Sequence, residues 1–144
     1  MAIPNTSVKR FIEDVDTRVS VGLDLPLGRQ PGTPDGYFTS TKTTIDAVKN
    51  DIKLLLMTQK GERLMQPNLG MDIRKFLFEQ ITEDITIQIE NDIVDTFSTW
   101  LPFVELREIN IDKGDQDLNR LGIDIKFNIR NAPTELDSVG VVLE

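Results

Sequence analysis

The chain has 144 residues, of which 39% are hydrophobic and 28% charged, and its formal net charge is −8. That balance suits one folded domain with a modest core rather than a disordered chain, and the acidic excess argues against a nucleic-acid backbone or an anionic membrane as the main partner. There is no cysteine and no histidine, which excludes disulfides, thiolate metal sites and any Ser-His-Asp or Cys-His mechanism.

No apolar run is long enough to span a bilayer, and charges interrupt the first apolar stretch, MAIPNTSVKRFIEDVD, so no secretory leader is expected. Residues 1–18 read as an N-terminal arm or a short helix. Val8, Phe11, Ile12 and Val15 recur at helical spacing, with Thr6 or Ser7 as cap, and terminal arms often need a partner to become ordered. Residues 19–144 read as a single domain. Its first piece alternates, with Val19, Val21, Leu23, Leu25 and Leu27 on one face. Pro26 lacks a ladder donor, so 19–27 is expected as an edge strand or an extended segment on the core. The turn formers of 28–37 predict a surface loop.

Residues 43–57 predict a helix capped by Thr43 or Thr44, with Ile45, Val48, Ile52, Leu55 and Leu56 as its apolar stripe. Lys60 suits the negative helix end, and Gly61 tolerates a left-handed terminator. Pro67 and Gly70 are expected to shape the crossing that follows. A short helix within 71–79 turns Ile73, Phe76 and Leu77 inward. Residues 81–89 alternate like a strand, but Ile85, Ile89, Ile93, Phe97 and Trp100 continue at helical spacing, and length favours a helix over 83–100 that stops before Pro102.

The last third turns to β structure. Val104-Glu-Leu106 and Ile109-Asn-Ile111 alternate out of phase by one residue, which predicts a bulge near Arg107-Glu108. Leu121, Ile123, Ile125, Phe127 and Ile129 form the clearest strand, paired with the preceding one across a polar turn at 113–119. A short final strand is expected over Ser138–Leu143. Helices, hairpin and last strand together give an α+β fold: a small, mostly antiparallel sheet with helices packed on one face and at least one open edge.

Several polar groups invite sharper readings. Glu62 and Arg63 either meet a neighbouring subunit or fix the chain reversal locally as a pair or cap. Trp100, with Phe103 beside it, either anchors an interface or closes the helix end. Glu79, Glu83 and Asp84 have the chemistry of a hydrolytic carboxylate pair, yet solvated charges at a helix start explain them better. Asp112, Asp115 and Asp117 have oxygen ligands that suit Ca²⁺, but not a full set. No catalytic residue, metal site or cofactor is expected.

The motifs carry a resemblance over roughly residues 20–130. Gly22-Leu-Asp-Leu-Pro26-Leu27 comes first. Leu55-Leu56-Met57-Thr58-Gln59-Lys60-Gly61-Glu62-Arg63 closes the first helix, followed by Pro67, Gly70 and Leu77-Phe78-Glu79. In this order the chain resembles the wedge component of contractile phage-tail baseplates, a family shared with the sheath-initiating baseplate subunit of type VI secretion systems. Where that family often carries Trp-Glu-Pro-Arg, this chain has Trp100-Leu101-Pro102-Phe103. A charged contact there does not carry over, and the resemblance leaves an apolar one.

The resemblance implies a structural protein, not an enzyme, in the inner baseplate ring around the tube. It implies six copies per baseplate, in the virion tail, made in the host cytoplasm. Expected partners are the tail sheath protein and other wedge proteins, with tube or hub proteins further candidates; nucleic acid and membrane are not expected. The implied task is to template the first sheath ring by β-strand addition. Candidate partner-binding residues are Gly61, Glu62, Arg63, Trp100, Pro102 and Phe103, and the strand residues Leu121, Ile123, Ile125, Phe127 and Ile129. Alternatives are the equivalent subunit of a type VI secretion or other contractile injection system, and a tail-associated carboxylate-dependent, lysozyme-like glycan hydrolase.

Overall fold

A computed structural model of the chain describes residues 18–29, 38–79, 82–112, 120–130 and 132–143. The expected arm or helix at 6–16, most of the 28–37 loop, and the 113–119 turn with Asp115 and Asp117 lie outside the described residues. The elements are β1 (Gly22–Leu23), β2 (Ser40–Thr41), α1 (Thr44–Met57), α2 (Ile73–Phe76), α3 (Glu83–Trp100), β3 (Val104–Asp112), β4 (Leu121–Ile129) and β5 (Ala132–Leu143). The chain divides into two compact units, Met1–Asp51 and Ile52–Glu144, at a point inside α1.

In the first unit, β1 and β2 pair antiparallel, Gly22 opposite Thr41 and Leu23 opposite Ser40. The alternation of 19–27 is realised over these two residues only. Val19, Leu23 and Leu27 are exposed, so the expected apolar face does not join the core; a ladder cannot run on through Pro26, which has no N–H to give it. Asn50 of α1 fastens this segment by donating from Nδ2 to the Leu23 carbonyl at 3.0 Å. Thr41 is buried, and its Oγ1 has no hydrogen-bond partner.

α1 begins as its sequence predicts. Thr43 Oγ1 accepts the Asp46 N–H at 3.3 Å and donates to the Asp46 carboxylate at 2.6 Å, satisfying a first-turn amide. Val48, Ile52, Leu55 and Leu56 are buried. The helix closes at Thr58, whose N–H and Oγ1 both donate to the Leu54 carbonyl, at 3.0 and 2.6 Å. Gly61 is left-handed, with φ 85°, but it lies beyond that end, in the next turn.

The second unit holds the larger core. α3 runs from Glu83 to Trp100 and buries Ile89, Ile93, Thr96 and Phe97. Continuous 3.6-residue periodicity therefore wins over the local alternation at its start. α2 buries Ile73 and Phe76, and Leu77 follows them inward. The sheet has strand order β3-β4-β5, antiparallel throughout. The register shift between Leu106 and Glu108 places Arg107 at the bulge that the phase change predicts. On β4, Leu121, Ile123, Ile125 and Phe127 are buried, and Val139 and Val141 of β5 extend the same face. Each fully buried Ile, Leu or Phe contributes roughly 1.5–3 kcal/mol, which fixes the strand register from one face.

Two expectations are corrected. The final strand is not short: it spans 12 residues, because β4 offers a partner along nearly its whole length. And β4 is not an edge. It lies between β3 and β5, so Leu121, Ile123, Ile125, Phe127 and Ile129 are interior groups on a strand with both sides occupied. The strongest apolar alternation marks the most buried strand, and that is the middle one.

Candidate assembly interface

The helix-stop motif folds into a closed loop. Gly61 N–H donates to the Pro67 carbonyl at 2.7 Å, Glu62 N–H to the Gln59 carbonyl at 3.2 Å and Gln66 N–H to the Arg63 carbonyl at 3.1 Å. The Glu62 carboxylate accepts the Gln59 N–H at 3.1 Å. Glu62 is thus a local cap, and Arg63 projects from an exposed turn. The loop returns to its origin at Gly70, where Met71 N–H donates to the Thr58 carbonyl at 2.8 Å. Gly70 has φ 106°, and a β-carbon there would collide with the Thr58 carbonyl. Only glycine meets both conditions.

The end of α3 builds a second feature. Leu101 N–H donates to the Phe97 carbonyl at 2.8 Å, and Val104 N–H donates to the Leu101 carbonyl at 3.0 Å. Pro102 therefore takes the second position of a tight turn, where its fixed φ fits. Leu101 is buried at 8% exposure, whereas Phe103 is 41% exposed. Of the two apolar residues that flank Pro102, one belongs to the core and one to the surface. Trp100 is half-buried and, with Lys60, Asn68, Gly70, Asp95 and Thr99, lines an open cavity of about 190 Å³. The structure thus brings the crossing loop and the end of α3 together, from Gly70 and Asp95, 25 residues apart in sequence, to Lys60 and Trp100, 40 apart.

A larger depression, about 430 Å³, is lined by Val94, Phe97, Ser98, Val104, Leu106 and Arg107. It follows β3 beside the bulge. Arg107 Nε donates to Asn128 Oδ1 at 3.0 Å, and its Nη2 meets the Glu105 carboxylate at 3.1 Å. Asn128 is almost wholly buried, so Arg107 covers and partly satisfies a polar group in the sheet. Lys126 and Glu108 pair at 2.7 Å across β3 and β4.

The sheet leaves the outer sides of β3 and β5 without a further strand among the described residues. Glu79, Glu83 and Asp84 are exposed and line neither cavity. Among the described residues, no group of three or more acidic side chains could hold a metal ion, and no helix is long and apolar enough to cross a membrane.

Residues 43–134 match the family described as Baseplate wedge protein gp25. The chain belongs to this family. Membership makes it a baseplate wedge-like protein, and the matched span runs from the cap of α1 into β5. Among curated proteins, it is 19% identical to the Baseplate wedge protein gp25 of Enterobacteria phage T4 over 137 residues, covering 95% of this chain and 94% of that one. Among solved structures, it resembles a chain of the anti-feeding prophage (AFP) baseplate, determined by cryo-EM with 6-fold symmetrisation, at 27% identity and a TM-score of 0.63, covering 78% of this chain and 86% of that one. It also resembles the crystal structure of a candidate tail lysozyme from Geobacter sulfurreducens at 25% identity and a TM-score of 0.62, covering 74% of this chain and 96% of that one.

Sequence reasoning missed two features of these surfaces. The Arg107–Asn128 contact had a partial signal, a neutral amide among the charged residues Asp124, Lys126 and Arg130 on the polar face of its strand. The exposed pair Leu64-Met65 had one too: large apolar residues inside a turn.

Proposed function

We propose that the chain is a structural component of the inner ring of a contractile-tail baseplate, in six copies around the tube. There it offers an open strand edge to the first ring of sheath subunits and acts without a catalytic site. Residues 19–144 form the working domain in this reading and residues 1–18 an arm. The protein is made in the host cytoplasm and ends in the tail baseplate. Its partners are the sheath protein and other wedge proteins, with tube or hub proteins as further contacts. Family membership and the likeness to a 6-fold symmetrised baseplate support the setting. The equivalent subunit of a type VI secretion or other injection system would use the same physics.

One observation carries the template idea: the unequal chemistry of the two sheet edges. β3 bears the Arg107 bulge, the Glu105–Arg107 pair and the Glu108–Lys126 pair, devices that discourage edge pairing. β5 over residues 138–143 reads Ser-Val-Gly-Val-Val-Leu, with no charge and no proline. Its register against β4 is regular from Asp137 to Leu143. Val139 and Val141 face the core, while Val142 is 63% exposed. An uncharged, regular edge is the kind that accepts another strand. Templating therefore belongs to β5, not to the interior residues of β4.

The test is Ser138→Lys with Val142→Lys, both on the exposed face of the edge. The variant is expected to fold with an unchanged circular dichroism spectrum and to enter baseplates, while sheath-bearing tails fall by at least about tenfold, since edge lysines oppose pairing. Sheath of normal length and yield would defeat the template. The hydrolase alternative has only the name of the Geobacter neighbour in its favour, because Glu79, Glu83 and Asp84 are exposed and line neither cavity.

A further inference from the structure

The tip of the crossing loop carries two side chains that the fold does not use. Leu64 and Met65 hold the central positions of the Arg63–Gln66 turn, where proline, glycine, asparagine and aspartate are the favoured residues. They are 96% and 92% exposed. An apolar pair so fully in water adds nothing to folding stability, and paired large apolar groups on a surface mark contact sites. The loop beneath them is already ordered by the Gly61–Pro67, Gln59–Glu62 and Met71–Thr58 hydrogen bonds, so docking would cost little further loop entropy.

The charges beside the pair indicate what it meets. Lys60 and Arg63 are exposed, and neither has a carboxylate partner among the described residues. The one nearby carboxylate in the loop, that of Glu62, is engaged at the Gln59 N–H. On a chain of net charge −8, Lys60 and Arg63 outnumber Glu62 on this loop, so the tip presents apolar side chains beside a local excess of positive charge. We propose that Leu64-Met65 is a preformed plug for an apolar socket rimmed by carboxylates on a different protein of the assembled baseplate. Charge complementarity at the rim selects that protein. The overall acidity of the chain disfavours an anionic bilayer as the occupant. This inference rests on the reading that the chain is built into a baseplate, but it concerns a surface separate from the β5 edge.

Met65 supplies its own probe, because peroxide oxidises exposed methionine, and Met71, 3% exposed, serves as the protected reference within the same chain. Sulfoxide formation at Met65 is expected to slow by at least about tenfold in purified tail particles relative to the free full-length chain, since susceptibility follows exposure. A photoreactive amino acid at position 64 is expected to cross-link, within the particle, to one polypeptide other than this chain, at a peptide combining apolar residues with Asp or Glu. Lys60→Glu with Arg63→Glu, co-expressed with the unsubstituted protein, is expected to enter particles about tenfold less often. Its melting temperature should fall by no more than about 2–6 °C, the effect of reversing the Lys60 charge at the negative end of α1. The plug is overturned if Met65 oxidises equally fast in particle and free chain, if the cross-links fall on a second copy or on lipid, or if the charge-reversed chain is incorporated at par. Particles that contain the chain with Met65 still open defeat the plug alone. Absence of the unsubstituted chain from every purified particle defeats the baseplate reading and the plug with it.

Discussion

At the residue scale, the decisive position is Gly70. Two constraints meet there: a left-handed φ of 106° and a backbone carbonyl, that of Thr58, in the space a β-carbon would need. Gly61 has only the first, since a β-carbon at that position meets nothing within 4 Å. Gly70→Ala is therefore expected to destabilise the protein by roughly 2–4 kcal/mol, whereas Gly61→Ala should cost only about 1–2 kcal/mol, the left-handed penalty alone. Thermal denaturation of the two variants separates them, and equal losses would show that the Thr58 contact is unimportant. Sequence alone marks both glycines as geometric, because turn formers cluster around them. It does not distinguish them, since the carbonyl that excludes a side chain at Gly70 lies twelve residues earlier. Glu62 was more legible: a carboxylate in a chain reversal is well placed to accept the N–H three residues before it, and it does so at Gln59.

At the scale of elements, helices and strands were largely readable because each keeps its own period. The apolar stripe of α3 and the alternation of β4 are unbroken over 18 and 9 residues. Even the Arg107 bulge showed itself as a slip of phase between Leu106 and Ile109. Strand order was not readable. Alternation tells which face of β4 is buried, but not whether its two sides are filled, and the partner that fills one of them, β5, is twice as long as its own apolar pattern suggests. The correction changes what mutations should do. Ile125→Asp places a charge on the middle strand at a site of 0% exposure, and is expected to cost more than about 4 kcal/mol. Circular dichroism should then show an unfolded chain. A folded Ile125→Asp protein would mean that β4 is not the sheet's centre.

At the scale of the whole molecule, the two units differ in how much each can hold. β1 and β2 contribute two residues apiece, below the size at which a strand pair is stable by itself. β4 is paired on both sides and buried along one face. Hydrogen exchange is therefore expected to be graded: amides of β1 and β2 should exchange at least roughly 100-fold faster than those of β4, by local rather than global opening. Equal protection in both units would refute that gradient. The sequence did not announce the division, because it falls inside α1, whose apolar stripe passes from Val48 to Ile52 across the boundary without a break. The placement of Trp100 has a practical consequence as well. It is the only indole in the chain, and it shares its cavity with Lys60, Asn68 and Gly70 of the crossing loop. Ultraviolet emission from this protein therefore has a single tryptophan source, a native fluorophore beside the loop, so quenching or a wavelength shift can follow events at that junction without attaching any dye.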